Sequence, residues 1–174
     1  ALGGALASGA VPQASARPGP EQNRLVEARG EWFYVDGEPF LVKGIGYSPY
    51  RPGQVPWKTL PDLALIERDF QLIREAGFNT IRTWSPLPDD VLALAKRHEL
   101  MVLQGIWIAR DADYDSATFR EAMFEILRNE ARRAAAHDNI LALIVGNELL
   151  PEQVFRTGIA QTEALLRRAA QVVK

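Results

Sequence analysis

The sequence predicts an α/β fold in which helices alternate with the strands of a parallel sheet. Two observations carry this prediction. Four short apolar runs alternate with four longer segments of helical periodicity, and the run at 140–145 is apolar at every position. A strand that is apolar on both faces is typical of a parallel sheet covered by helices. The order of elements therefore favours parallel strands joined by right-handed helical crossovers.

The first predicted element is a β-hairpin that covers residues 32–43. Apolar arms flank Asp36 and Gly37, a pair of residues that supplies the positive φ angles of a tight two-residue turn. The second arm is expected to continue through residues 44–46 as the first strand of the main sheet.

Four strand–helix units follow from the hairpin. In the first helix, apolar residues recur at helical spacing from Leu63 to Ile73, and Gly77 is its expected end. The second helix is expected to begin at Pro88, with acidic residues at the positive end of its dipole. The remaining expected strands are 79–84, 101–108 and 140–145, and the remaining helices are 118–136 and 151–174, the last broken near Gly158.

The length of the chain limits how this fold can close. A complete (β/α)8 barrel needs about 250 residues, whereas this sequence has 174. The predicted fold class is therefore α/β, a (β/α)8 TIM barrel of which residues 30–174 supply only the first four βα units, preceded by a β-hairpin. A small open α/β sheet is the alternative.

Residues 1–29 differ in composition from the rest of the chain. Residues 1–11 are small and apolar, residues 14–16 (Ala-Ser-Ala) fit the preference of signal peptidase, and Arg17-Pro18-Gly19-Pro20 follows. We interpret this region as a signal-peptide remnant and linker, which predicts a secreted or periplasmic protein. A disordered Ala/Gly/Pro linker is the alternative. No apolar run reaches the roughly 20 residues that span a bilayer, so no stable membrane span is expected.

Composition excludes several classes of function. The formal net charge is −2 and no Lys/Arg-rich tract is present, which argues against a nucleic-acid partner. The absence of cysteine excludes disulfides, thiolate catalysis and cysteine-ligated metals. Two histidines are too few for a histidine-rich zinc site.

Three motifs occur in the same order on the predicted strands: Phe40 to Tyr47, Gly77 to Arg82, and His137 to Glu148. Together they resemble the first, second and fourth strands of clan A glycoside hydrolases, a group that includes β-glucanases, β-mannanases and glucan-remodelling transglycosylases. The likeness covers residues 32–150. The family usually has proline where this chain has Asp138.

The resemblance implies a role for each polar residue at these strand ends. Glu148 would be the general acid/base, Asn147 would bind the sugar 2-hydroxyl, and Arg82 would orient the nucleophilic carboxylate. A proton donor must stay protonated near neutral pH, which burial favours, and we expect the end of the apolar strand to bury Glu148. The structural alternatives are a capping or salt-bridged carboxylate for Glu148, turn formation for Asn147 and an ion pair for Arg82.

The second carboxylate of a retaining glycosidase must lie about 5–5.5 Å from the acid/base. The resemblance places it on a glutamate at the end of a seventh strand, which lies outside this sequence. We therefore expect the chain as given to be catalytically incomplete.

Aromatic residues near the predicted strand ends are candidates for substrate binding, because sugar rings have apolar faces that stack on aromatic rings. The candidates are Tyr47, Tyr50, Trp84 and Trp107. Trp107 lies further inside its strand, so a place in the core is its alternative.

The sequence thus predicts a retaining O-glycosyl hydrolase or transglycosylase that acts on a β-linked polysaccharide or oligosaccharide. No metal or organic cofactor is implied, because protonation and carboxylate attack need none. One alternative is a non-catalytic carbohydrate-binding or scaffold protein on the same fold. Another is a barrel enzyme that uses Arg82 and Glu148 on a different substrate.

Overall fold

The computed structural model of the chain describes residues 24–55, 59 and 62–174. The predicted signal-peptide remnant, with its cleavage site after Ala16, lies outside the described residues. In the described part, no helix is both long enough and apolar enough to cross a membrane.

An antiparallel meander of three strands precedes the main sheet. Its strands are β1 (Val26–Arg29), β2 (Trp32–Val35) and β3 (Glu38–Phe40), with β2 in the middle. The predicted turn between β2 and β3 is confirmed, with φ angles of 54° at Asp36 and 85° at Gly37. The predicted hairpin gains a third strand, because Gly30 (φ 60°) forms a second tight turn that lets the last residues of the predicted linker pair with β2.

The meander does not run directly into the main sheet as expected. Residues 41–43 separate β3 from the first parallel strand. Here the Asn79 side chain replaces strand pairing: its Nδ2 donates to the Leu41 carbonyl (2.9 Å), and its Oδ1 accepts from the Lys43 N–H (2.8 Å). These two bonds satisfy backbone groups that a continuous strand would have paired.

The main sheet has four parallel strands in chain order: β4 (Gly44–Gly46), β5 (Thr80–Arg82), β6 (Met101–Ile106) and β7 (Ile140–Val145). A helix follows each strand, which confirms the predicted α/β class and its four βα units. The helices are α1 (Leu63–Glu75), α2 (Asp89–Arg97), α3 (Ala117–Ala134), α4 (Pro151–Thr157) and α5 (Ile159–Val172).

The predicted helix ends at two glycines are confirmed. Gly77 follows α1 with a φ of 87°, and Gly158 divides the last predicted helix into α4 and α5 with a φ of 92°. Glycine adopts these left-handed angles without the clash that a Cβ atom brings. Asp62 caps the other end of α1, where its carboxylate accepts from the Ala64 N–H at 3.0 Å.

Two apolar clusters hold the helices against the sheet. The first joins α1 and α2 to β5 and β6 and includes Ile66, Phe70, Ile81 and Leu92. The second joins α3 and α5 to β6 and β7 and includes Ile106, Met123, Leu127 and Ala169. The clusters fix the carboxyl ends of the strands relative to one another, which is the edge where function resides in α/β folds.

Candidate active site

Arg82 and Asn147 meet at the carboxyl edge of the sheet. Arg82 is the last residue of β5, and Asn147 follows β7 by two residues. The strands are separated by β6, yet the Arg82 Nη2 donates a hydrogen bond to the Asn147 Oδ1. Asn147 Nδ2 is buried and has no hydrogen-bond partner among the described residues. The contact leaves Asn147 with a buried amide NH2 group, whose two N–H donors are available to further acceptors.

A sharp turn after β7 controls the direction of Glu148. Gly146 has a φ of 80° and Glu148 a φ of 50°, so two of the three residues after the strand are left-handed. The Glu148 side chain points to solvent and is 62% exposed, with Oε2 at 3.3 Å from the Arg110 Nη1. Within the described part of the chain, the expectation that the strand end buries Glu148 is therefore wrong. In the described sheet, β7 pairs with β6.

Trp84 lies against Arg82. The Cζ atom of the Arg82 guanidinium lies over the Trp84 ring at 4.7 Å from the ring centroid, a cation–π geometry. The same guanidinium therefore contacts the indole ring and the Asn147 amide. This arrangement links the loop after β5 to the loop after β7.

A cavity of about 510 Å³ opens beside Trp84, a volume within the range of about 300–1,000 Å³ typical of small-molecule sites. The four predicted aromatic residues all line it: Tyr47, Tyr50, Trp84 and Trp107. Trp107 is 44% exposed, so the alternative that placed it in the core is wrong. The remaining lining residues are Ser48, Pro49, Thr83, Ser85, Pro86 and Leu87.

The hydroxyl group of Tyr47 forms a hydrogen bond within the fold. It donates to the Asp69 Oδ2 at 3.0 Å, and the Arg51 Nη2 donates to the same oxygen at 2.8 Å. The ring packs against Phe70, with centroids 5.2 Å apart. Burial and the bond to Asp69 raise the pKa of the phenol. Tyr47 thus supplies an apolar ring to the cavity, while its hydroxyl fastens the loop after β4 to α1.

Four residues that contact predicted site residues were not themselves predicted: Asp69 and Arg110, and two glycines that lie against Trp84, Gly46 and Gly105. Arg110 follows β6 at the same sheet edge as Arg82 and Glu148, so its position after a strand was a usable signal. The other three act through contacts that only the folded chain creates. Among the described residues, no group of three histidine, aspartate or glutamate side chains is placed to hold a metal ion.

Comparisons with known proteins agree with this architecture. No protein-family model matches the sequence. Mouse (Mus musculus) β-glucuronidase is 28% identical over 151 residues, which cover 82% of this chain and 23% of the relative. The 1,3-beta-glucanosyltransferase GAS4 of Saccharomyces cerevisiae is 26% identical over 132 residues, which cover 68% of this chain and 28% of the relative.

A solved structure shows the same fold at lower identity. The crystal structure of Bacteroides uniformis β-glucuronidase matches 87% of this chain and 19% of its own chain, with a TM-score of 0.67 and 22% sequence identity. The chain thus spans about a quarter of the length of the curated relatives that it matches. Its four parallel strands correspond to part of a glycosidase barrel. In sequence and in fold, the chain resembles part of a clan A (β/α)8-barrel glycoside hydrolase.

Proposed function

We propose that the chain carries the acid/base side of a retaining active site that hydrolyses or transfers β-linked polysaccharides or oligosaccharides. The observation that carries this proposal is the contact of Arg82 with Asn147, directly beside Glu148. The proposed chemistry uses Arg82 at the end of β5 together with Asn147 and Glu148 after β7, and these two strand ends lie at the same edge of the sheet. The relatives support the reaction class, since their names describe a β-glucuronidase and a 1,3-beta-glucanosyltransferase.

Each residue has a defined task in this mechanism. Glu148 donates a proton to the glycosidic oxygen as the sugar–oxygen bond breaks, and then removes a proton from the incoming water or sugar hydroxyl. Arg82 orients the attacking carboxylate through charge-assisted hydrogen bonds. The unpaired Asn147 Nδ2 donates to the sugar 2-hydroxyl, a bond that strengthens in the transition state. The nucleophile is the glutamate that the resemblance places on a seventh strand, outside this sequence.

Proton donation requires Glu148 to leave Arg110. The pair is exposed on both sides, with 46% of the Arg110 side chain and 62% of the Glu148 side chain accessible. Exposed ion pairs of this kind contribute little free energy, about 0–1 kcal/mol. A bound saccharide would therefore displace Arg110 at low cost and bring the glycosidic oxygen to Glu148.

The cavity beside Trp84 is the proposed binding site for the saccharide. Its aromatic walls suit the apolar faces of sugar rings, and its serine and threonine side chains suit sugar hydroxyls. We further propose an exported protein without metal or organic cofactor, on the basis of the Ala-Ser-Ala sequence at 14–16 and of a chemistry that uses only protein side chains.

The test is Glu148→Gln in the whole protein. We expect kcat/KM for an unactivated β-linked oligosaccharide to fall by about 10²–10⁴, the usual contribution of general acid–base catalysis. The first step on an activated aryl glycoside should be largely preserved, because its leaving group needs little protonation. Burst kinetics on the aryl substrate separate the two steps.

The matched control is Glu152→Gln, an exposed glutamate in the first turn of α4. It removes the same charge four residues away and should leave both activities unchanged. Equal losses on both substrates in Glu148→Gln, or equal losses in the two variants, would contradict the assignment of the proton donor.

A non-catalytic carbohydrate-binding protein is the second candidate. The exposure of Glu148 favours it, as does the aromatic cavity, whose lining includes neither Glu148 nor Asn147. This candidate predicts saccharide binding without turnover, and binding that Glu148→Gln leaves unchanged. Calorimetric titration alongside the activity assay distinguishes the two functions.

A further inference from the structure

The backbone around Trp84 runs unusually close to β6. A Cβ atom at Gly105 would lie 2.7 Å from both the carbonyl carbon and the carbonyl oxygen of Trp84, and it would also clash with the Thr83 carbonyl oxygen. These atoms belong to the backbone, so a side chain at Gly105 could not be accommodated by a rotamer change. The loop after β5 can cross the face of β6 only because residue 105 is a glycine.

Hydrogen bonds fasten the loop in this position. The Thr83 N–H donates to the Leu103 carbonyl at 3.0 Å, and the Gly105 N–H donates to the Thr83 Oγ1 at 3.3 Å. Further along the loop, the Leu87 N–H donates to the buried Gln104 Oε1 at 3.2 Å. The backbone on both sides of Trp84 is thus tied to consecutive residues of β6.

A second glycine lies against the ring of Trp84. Gly46 is the last residue of β4 and pairs with Arg82 in the register of the sheet. A Cβ atom there would lie 3.1 Å from the Cη2 atom of Trp84, closer than a comfortable carbon–carbon contact of about 3.5–4.0 Å. The ring therefore occupies space that any other residue at position 46 would take.

We propose that Gly46 and Gly105 are positioning residues, which hold the Trp84 ring at one place between the aromatic cavity and the Arg82 guanidinium and thereby set the affinity for saccharide. Gly105 leaves space for the backbone of Trp84, and Gly46 leaves space for its ring. The indole can then contact the cavity and the guanidinium that reaches Asn147. The inference rests on the proposed function for its ligand, but the position of the ring can be measured without one.

The test uses a graded series of three glycine-to-alanine changes in the whole protein, labelled with 5-fluorotryptophan. The ¹⁹F resonance of Trp84 is assigned by its loss in Trp84→Phe. Gly105→Ala and Gly46→Ala should both shift this resonance and leave that of Trp32, in the meander, in place. Gly44→Ala is the matched control, because a Cβ atom at Gly44 has its nearest neighbour, Val42 Cγ1, at an ordinary 3.4 Å; it should shift nothing.

Saccharide affinity gives the second readout, with a β-1,3-linked glucose pentasaccharide as the probe. Gly105→Ala should weaken binding by at least about 30-fold, the effect of losing an aromatic hot spot. Gly46→Ala should weaken it by about tenfold, since only the end of the ring must move, and Gly44→Ala should not change it.

Unchanged Trp84 resonances in Gly46→Ala and Gly105→Ala would overturn the inference. If Gly105→Ala fails to fold, as its circular dichroism would show, Gly46→Ala decides alone, because its added methyl meets only a side chain. A wild-type protein that does not bind the probe would count against the proposed function, whereas the resonances would still decide the role of the glycines.

Discussion

The carboxyl ends of β5 and β7 carry the two halves of the candidate site, and they are built differently. Strand β5 lies between β4 and β6, and the Trp84 that follows it touches both neighbours through Gly46 and Gly105. Strand β7 has only β6 beside it in the described sheet, and the side chain of Glu148 contacts Arg110 at an exposed surface.

This difference shows how the precision of a site depends on strand position. A loop that leaves a central strand is held by backbone contacts from both sides, so its side chains are placed before any ligand binds. The Glu148 side chain after β7 is held instead by an exposed ion pair with Arg110, and such pairs contribute little free energy. Among the described residues, Trp84 is therefore positioned more firmly than Glu148.

The largest effect is expected when one apolar side chain is truncated on the helix-facing side of β5 and of β7. Ile81 on β5 is fully buried, whereas Leu143 on β7 is partly buried. Ile81→Ala should lower the free energy of unfolding by about 2–5 kcal/mol, as for other buried aliphatic side chains. Leu143→Ala should cost less than half as much. Denaturant unfolding measures both, and equal losses would remove the distinction between β5 and β7.

A smaller effect is expected at Asp138, which holds the start of β7. Its side chain is 7% exposed, accepts from the Arg24 N–H at 3.0 Å and lies 3.1 Å from the Lys96 Nζ. Asp138→Asn should lower the free energy of unfolding at pH 7 by about 1.5–3 kcal/mol, the range for hydrogen bonds to charged groups. Asp115→Asn, at an exposed aspartate, is the control and should have no measurable effect.

The loss at Asp138 should depend on pH in a defined direction. Burial by itself raises the pKa of the Asp138 carboxyl, but the Arg24 N–H and Lys96 together hold this pKa below its usual value. The stabilisation is therefore complete above the unfolded pKa of about 3.9 and disappears as pH falls through the lower folded value. Wild type and Asp138→Asn should converge in stability at low pH, and a constant difference across pH would refute the ionic origin.

The smallest effect is expected at the exposed end of β7. Arg110→Ala breaks the ion pair with Glu148 and should change the free energy of unfolding by less than about 1 kcal/mol, with the difference shrinking further in salt. Thermal unfolding at low and high ionic strength measures it. A larger, salt-independent loss would mean that Glu148 is held as firmly as Trp84.

The sequence was sufficient to predict features that depend on local chemistry. Apolar periodicity located the helices, Gly77 and Gly158 located their ends, and Asp36-Gly37 located a turn. Each of these features depends on residues that are neighbours along the chain. The extra strand at 26–29 was missed because its pairing with β2 is a tertiary event. The exposure of Glu148 was missed because apolarity along a strand does not reveal how many strands flank it.

The residues of the candidate site also fall into two groups, those that the sequence indicates and those that it does not. The roles of Arg82, Asn147 and Glu148 came from the family resemblance and stay predictions, whereas the four aromatic residues that line the cavity were predicted from their places near strand ends. Gly46 and Gly105 were not, because what matters there is the space that a side chain would fill, and a sequence does not display distances between strands. Asp138 breaks the family pattern and gains contacts with Arg24 and Lys96 that no single-residue motif indicates.

The backbone conformation of Glu148 has a consequence for how this protein can change under selection. Glu148 adopts a φ of 50°, a conformation in which a residue with a Cβ atom is less stable than glycine by about 1–2 kcal/mol. Laboratory evolution for heat tolerance alone should therefore favour replacement of Glu148. If Glu148 is retained only when the screen also selects for turnover, then this residue lowers the stability of the protein and is kept for its activity.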